Sequence, residues 1–235
     1  MAKRAKKQTL VIDIGGSAIK GMILDEEGRP LSARLRLQTP KPATVEAVMR
    51  VLGRIAAKKS EEYDQVAVGF PGVLRGGIVA TAPNLDESWK GQPLDRLVQE
   101  ALGRPVRSTN DTNLHGLAAI KGKGTELVLA LGTGFGSALF IDGRPVPNFE
   151  MAHHPLRKAH TYEDLLGNAA LQRHGKKEWN RNLRLAIETL DRLFHYDALL
   201  VGGGNARHIK GQLEPPAQVI PNRAALLGGV ALWKL

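Results

Sequence analysis

Three glycine clusters stand beside acidic, hydroxyl or amide residues, the combination that backbone phosphate binding calls for. VIDIGGSAIK places Gly15 and Gly16 after Asp13 and before Ser17 and Lys20. LGTGFGS supplies a second tip with Gly132, Thr133, Gly134 and Gly136, and VGGGN supplies Gly202, Gly203 and Gly204. Glycine exposes backbone N–H groups that can cradle phosphate oxygens, and a nearby Ser or Lys adds donors. None of the three is a GxxxxGK(S/T) phosphate loop, and none opens a GxGxxG dinucleotide fingerprint. A tight turn alone accounts for most single glycine clusters. Two related ones facing each other would instead grip a polyphosphate from both sides.

The elements that must carry these clusters form a near-repeat. Residues 10–30, LVIDIGGSAIKGMILDEEGRP, and residues 127–145, LVLALGTGFGSALFIDGRP, each read as an apolar strand, a glycine turn, a second apolar strand and an acidic turn ending in Gly-Arg-Pro. Strand pairs joined by glycine turns are hairpins. The copies lie half a chain apart, too far for a solenoid or propeller period, which points to duplication and two lobes. Between them, residues 42–60 space Val45, Val48, Met49, Leu52 and Ile55 at helical intervals. Residues 63–74 read as a buried strand entering a Phe-Pro-Gly turn, and 76–94 as a strand and a long polar loop. Residues 95–124 read as a helix ended by Gly103, a short strand at Val106 and a second helix after Asn110-Asp111. Residues 163–194 are helical with an interruption near Gly175, 198–208 a strand, the triple glycine and a helix start, and 222–235 a closing helix. Alternating strands and helices make the class α/β.

Bulk properties narrow the function classes. With 235 residues and 25.5 kDa, the chain has room for one large domain or two of roughly 100 residues. Hydrophobic residues at 43% and charged residues at 24% exclude a fibrous or mainly disordered chain. No apolar run reaches the roughly 18 residues of a membrane helix, and MAKRAKKQTLVIDIGG is not a signal peptide. Cysteine is absent, which excludes disulfides, thiolate zinc sites and thiol catalysis and fits a reducing cytoplasm. Net charge is +10, and the four cations of residues 1–8 leave +6 on the rest. That sign either favours nucleotides, polyphosphate or nucleic acid, or serves solubility. Aromatic residues at 5% are poor material for stacking bases, which argues against nucleic acid.

The order DIGGSAIKG, VGFPGV, NLDESW, NDTN, LGTGFGSALFIDG, EMAH, VGGGN and NRAALLGG resembles the actin-like sugar kinases, and within them the ROK (repressor, open reading frame, kinase) family, over nearly the whole chain. The stretch GFPGVLRGGIVATAPNLDESWKG looks most like the polyphosphate glucokinases. The resemblance implies two actin-like, ribonuclease H-like lobes, each with a central mixed sheet flanked by helices, with a cleft between them. Residues 1–109 would form the first lobe, with 1–8 a basic tail, and 110–235 the second, with the terminal helix returning to the first. The implied reaction moves a phosphoryl group from polyphosphate or ATP, with Mg2+, onto a hexose hydroxyl. The implied protein is a cytoplasmic homodimer without zinc, membrane or nucleic-acid partner.

Carried over by position, Asp13, Gly15, Gly16, Ser17 and Lys20 look like the first phosphate loop and Gly132, Thr133, Gly134 and Gly136 like the second. Gly202, Gly203 and Gly204 look like the nucleoside-side loop. Asn84, Asn110, Asp111, Glu150 and His153 look like sugar-binding positions, with Asp111 as the general base. A sugar hydroxyl must lose its proton as it attacks the terminal phosphoryl group, and a carboxylate at a loop-to-helix junction can take it. The competing role for Asp111 is a helix N-cap.

The chain departs from the family in two places. The cysteine cluster that holds zinc in many ROK members is missing, as it is in polyphosphate glucokinases. The usual Glu-x-Gly-His, with an acid two residues on, here reads Glu150, Met151, Ala152, His153, His154, Pro155. An unpaired sugar hydroxyl costs on the order of 1–3 kcal/mol when buried, so glucose is in doubt as the sugar. Glu163 and Asp164 could replace the lost acid, but TYEDLL reads more simply as a helix start. His153, His154 and His160 read as loop residues rather than a metal site. Trp89, Trp179 and Trp233 read as packing residues. Lys20, Lys121 and Lys123 are candidates to face a phosphate chain, and the last two could equally form a solvated turn. The alternative function is a catalytically weak or silent sugar or nucleotide sensor. Asp13, Lys20 and Asp111 argue against it, as does the lack of a helix-turn-helix module ahead of the first strand.

Overall fold

The computed structural model describes residues 7–58, 63–147, 149–221 and 226–235. Most of the basic tail and the first four residues of the expected closing helix lie outside the described residues. The chain divides into two compact units, drawn from Met1–Ala118 with Ala224–Leu235 and from Ala119–Arg223.

In the first unit, β1 (Thr9–Ile14) is buried at every position, which is why TLVIDI reads as a continuous apolar run rather than an alternating one. It pairs antiparallel with β2 (Ala18–Leu24), and β2 pairs antiparallel with β3 (Leu35–Gln38). On its other side β1 pairs parallel with β4 (Gln65–Phe70), and β4 with β7 (Val106–Asn110). A two-residue hairpin, β5 (Leu74–Arg75) with β6 (Ile78–Val79), follows β4. Helix α1 (Val45–Ala57) starts at Thr44, whose hydroxyl accepts from the Ala47 N–H at 3.3 Å. It buries Val48, Leu52 and Ile55 in one core with Leu10, Ile12 and Ile14 of β1. Helix α2 (Leu94–Leu102) adds Leu94 and Val98 to that core.

Helix α3 (Asp111–Leu117) packs on β4 and β7, and the C-terminal helix Gly228–Leu232 packs on α3 and β1. Two glycines allow the second contact. A Cβ on Gly228 would run into the Leu114 carbonyl, and one on Gly229 into the Val11 side chain. The first unit therefore extends past the boundary expected at 109/110, because α3 has its packing partners there.

The second unit repeats the plan. Strand β8 (Thr125–Leu131) pairs antiparallel with β9 (Phe135–Ile141), which pairs antiparallel with β10 (Arg144–Pro145). On its other side β8 pairs parallel with β13 (Ala198–Gly202), and β13 with β14 (Ala217–Val219). The orders β3-β2-β1-β4-β7 and β10-β9-β8-β13-β14 thus match strand for strand, as the near-repeat leads one to expect. A small hairpin, β11 (Pro155–Arg157) with β12 (His160–Thr161), leads into α4 (Tyr162–Leu166) and α5 (Asn168–Phe194). The backbone leaves helical geometry at Gly175, with φ 72° and ψ 170°, where the sequence shows its interruption.

Trp89 and Trp179 are fully buried and donate to the Ala43 and Leu166 carbonyls, each at 2.9 Å. Trp233 lies under the Arg107 guanidinium, 5.0 Å from its ring centroid. All three pack. Among the described residues no helix is long and apolar enough to cross a membrane.

Candidate active site

Asp13, Gly15, Gly16, Ser17, Lys20, Asn84, Asn110 and Asp111 belong to the first unit, and the other expected site residues to the second. The β1–β2 register sets Asp13 directly opposite Lys20, so the two side chains share a face of the sheet. Lys20 Nζ donates to Asp13 Oδ2 at 2.7 Å. The tip between them is braced by Thr39 beyond β3. Its N–H donates to the Ser17 carbonyl at 3.2 Å and its hydroxyl to the Gly15 carbonyl at 2.5 Å. Asn84 lies against the same tip, since a Cβ on Gly16 would meet Asn84 Cβ at 3.0 Å.

At the end of β7, Asn110 takes the capping role that competes for Asp111. Its Oδ1 accepts from the N–H groups of Thr112 at 2.8 Å and Asn113 at 3.4 Å, and its Nδ2 donates to the Gly72 carbonyl at 3.2 Å. Asp111 becomes the first helical residue, and its carboxylate accepts from the Thr112 hydroxyl at 3.2 Å. Gly69 of β4 lets the helix come this close, because a Cβ there would meet Asp111 Cα at 3.4 Å.

One turn along α3 stands His115, which no motif in the sequence singles out. Its Nε2 is 3.5 Å from Asp13 Oδ2, an ion-pair separation that leaves the nitrogen without a well-formed hydrogen bond. Burial opposes its charge, but Asp13 and Asp111 outweigh that and raise its pKa above the ordinary value. Burial also pushes Asp13 upward, yet His115 and Lys20 together bring it down to about 2. Asp111 goes the other way. Burial raises its pKa, the neighbouring Asp13 charge adds to the rise, and His115 and Thr112 offset only part of it. Two carboxylates in one cluster are thereby pushed apart, one held ionised and one with raised proton affinity.

A stability prediction follows from the sign of the His115 shift. A histidine whose folded pKa is raised stabilises fully below the unfolded value near 6.5, and that contribution is lost as pH rises through the folded value. The melting temperature of the wild type should exceed that of His115→Gln by roughly 2–4 °C at pH 5.5, the size of about 1 kcal/mol in a chain this long. The gap should close as pH rises toward 9. A gap constant across that range in thermal melts would overturn the ion pair.

In the second unit, the tip between β8 and β9 spans Gly132, Thr133 and Gly134. Gly136, expected in that tip, lies inside β9 opposite Ala130, because three glycines in GTGFG do not say which ones turn. The VGGGN loop is tied to the tip by Asn205, whose Nδ2 donates to the Gly132 carbonyl at 2.9 Å. A Cβ on Gly203 would stand 2.6 Å from the Leu131 nitrogen, so this loop, too, lies against the end of β8.

Glu150 and His153 sit in the segment before β11, both exposed. The Ser137 hydroxyl accepts from the Met151 N–H at 3.0 Å and the Ala152 carbonyl from the Glu163 N–H at 3.0 Å, which holds the segment to β9 and α4. TYEDLL is a helix start, as expected, with Thr161 and Asp164 closing a capping box. Glu163, however, turns its carboxylate to the glycine tip and accepts from the Phe135 N–H at 3.2 Å. It joins the Glu150–His153 segment to the second hairpin, which a helix-start pattern cannot reveal. Among the described residues no three His, Asp or Glu side chains form a metal-holding group.

The chain is similar to known proteins over most of its length. The profile of the ROK family matches residues 9–153. A polyphosphate glucokinase of Mycobacterium tuberculosis is 32% identical over 209 residues, 83% of this chain and 77% of that protein. The solved inorganic polyphosphate/ATP-glucomannokinase of Arthrobacter sp. strain KM is 34% identical, with a TM-score of 0.85 over 96% of this chain and 97% of that one. A ROK family glucokinase of Streptomyces griseus, solved with glucose and AMPPNP, shares the fold at a TM-score of 0.77 and 23% identity, over 96% and 98% of the two chains. On the family profile, the relatives and the matched double fold, this chain belongs to the ROK family.

Proposed function

We propose that this ROK phosphotransferase, with an alcohol as its acceptor, moves the terminal phosphoryl group of polyphosphate or ATP onto a hexose hydroxyl. The observation that carries the reading is Asp111, half-buried, free of the capping role and raised in proton affinity beside an ionised Asp13. Asp111 takes the hydroxyl proton as the sugar oxygen bonds to the terminal phosphorus. The bond from that phosphorus to its bridging oxygen breaks, and ADP or a shortened polyphosphate leaves. Mg2+ arrives with the donor as part of the substrate and offsets its charge.

Asn84, Asn110, Glu150 and His153 are proposed to hold sugar hydroxyls together with Asp111. Asp13, Gly15, Gly16, Ser17 and Lys20, with Gly132, Thr133, Gly134 and Gly136, are proposed to attend the phosphates, and Gly202 to Gly204 the nucleoside side. The Mycobacterium and Arthrobacter relatives support this reading, since both names include polyphosphate. A cytoplasmic homodimer acting without nucleic acid or membrane completes it, and the cysteine-free composition fits that compartment. The silent-sensor alternative has the altered Glu150–Pro155 segment in its favour, but a binder has no use for a tuned base.

The test is to incubate the protein with a panel of hexoses and either ATP or polyphosphate, and to detect sugar phosphate. A polyphosphate chain carries about one charge per unit and no base, so its capture is electrostatic. Screening lengths fall from about 10 Å at 0.1 M salt to about 3 Å at 1 M. The KM for polyphosphate should therefore climb with salt faster than the KM for ATP. Turnover with ATP and none with polyphosphate of any length would remove polyphosphate from the reading.

A further inference from the structure

Lys20, Lys121 and Lys123 lie beside the glycine hairpins in sequence, and Lys121 and Lys123 are exposed. Lys20 is committed to Asp13. The turn carrying Lys121 and Lys123 is organised around the buried Glu126 carboxylate, which accepts from the N–H groups of Lys121 at 2.7 Å, Gly122 at 2.6 Å and Lys123 at 3.3 Å. The positive charge is concentrated elsewhere. Between Arg173 and Arg184 five cations face one acid, Glu178, and Arg207 and Lys210 stand in a stretch without any acid, so these short segments carry six of the ten net charges.

The second unit joins these segments. Buried Asn180 of α5 donates through Nδ2 to the His208 carbonyl at 2.9 Å, and its Oδ1 accepts from the Lys210 N–H at 2.8 Å. Its Nδ2 also reaches the Lys176 carbonyl one turn back, at 2.7 Å. Lys176, Arg207 and Lys210 are thereby gathered on one surface, all exposed. Arg207 Nε donates to His208 Nε2 at 3.2 Å, and burial first, then Lys176 and Arg207, lower the pKa of His208. The only acid of the helix stretch, Glu178, is shared between Arg157 at 3.5 Å and Arg181 at 3.6 Å. The same segment begins at the VGGGN loop, and Asn205 ties it to the second glycine tip. The exposed cations Arg207, Lys210 and Lys176 thus lie on the segment that Asn205 ties to the Gly132 tip and on the helix turn joined to it.

We propose that these cations form a track for the unreacted tail of an inorganic polyphosphate chain, with the reacting end at the glycine tip and the tail along Arg207, Lys210 and the cationic turns of α5. The proposal rests on polyphosphate being a donor. Its chemistry is specific to a long, uniformly charged chain. ATP carries its charge at one end only and gains little from cations further along, and tripolyphosphate is too short to reach them.

The variant Lys176→Glu/Arg207→Glu/Lys210→Glu tests it, with Lys176→Gln/Arg207→Gln/Lys210→Gln as a milder form should the reversal disturb folding. The KM for long-chain polyphosphate should rise about tenfold or more at low salt, the range that electrostatic steering supplies, and its dependence on salt should flatten. The KM for ATP and for tripolyphosphate should change less than about twofold, since neither reaches the track. Direct binding of long-chain polyphosphate without sugar should weaken in parallel. If the wild type uses long-chain polyphosphate and the variants leave its KM and binding unchanged, the track is wrong while the donor reading stands. An equal rise for ATP and tripolyphosphate would also overturn it, as would weakened binding of single-stranded RNA with polyphosphate unaffected. If the wild type neither binds nor uses polyphosphate, the donor reading falls and takes the track with it.

Discussion

Asp111→Asn should lower kcat by roughly 10²–10⁴-fold while the KM for the sugar moves far less. The amide keeps the shape of the carboxylate and can still accept from the Thr112 hydroxyl, but it cannot take a proton. Folding should survive, because the cap of α3 is Asn110 and not Asp111. The wild-type pH profile sharpens the test. The base must be ionised, and burial together with Asp13 raises its pKa, so activity should fall on acidification at a pH above the ordinary carboxylate range. The residual activity of the variant should lack that limb. Near-normal turnover in steady-state assays would rule Asp111 out as the base.

Gly203→Ala should cost about 3 kcal/mol or more of stability. Gly203 has φ 92° and ψ 169°, a region open essentially to glycine alone. A methyl there would stand 2.6 Å from the Leu131 nitrogen and 2.7 Å from its carbonyl carbon, against backbone that cannot yield. Its neighbour is the control. A methyl on Gly204 would point into open space, with nothing within 4 Å, so Gly204→Ala should stay within about 0.5 kcal/mol of the wild type. Urea melts followed by tryptophan fluorescence compare the two, and equal midpoints would show that the VGGGN loop does not need its glycine.

The glycine hairpins are legible in the sequence because two signals coincide there, apolar runs on both sides and glycines between. The likeness of the two sheets then follows from the repeat. The site is legible only in part, and its gaps have physical causes. Asn110 and Asp111 stand out as a pair, but which one caps and which one is spared depends on where β7 hands over to α3. His115 sits among Leu114, Gly116 and Leu117 in an ordinary helical stretch, and only the register of β1 against β2 and the approach of α3 bring it to Asp13. Glu163 hides in a capping sequence whose other acid does the capping. Gly136 misleads because glycine spacing alone cannot separate a turn from the strand that follows it.

The C-terminal helix has a consequence for how the chain is made. Ribosomes deliver about 5–20 residues per second, and domains tend to fold as units as they emerge. All five strands of the first sheet are synthesised before the second unit begins, yet the helix that covers Val11 and Leu114 is synthesised only after it. The second unit, one continuous stretch, can close on itself first. The first must wait roughly 5–20 s with part of its apolar surface open, a window in which a nascent-chain chaperone has something to hold. The half that carries Asp111 is the first to be started and the last to be finished.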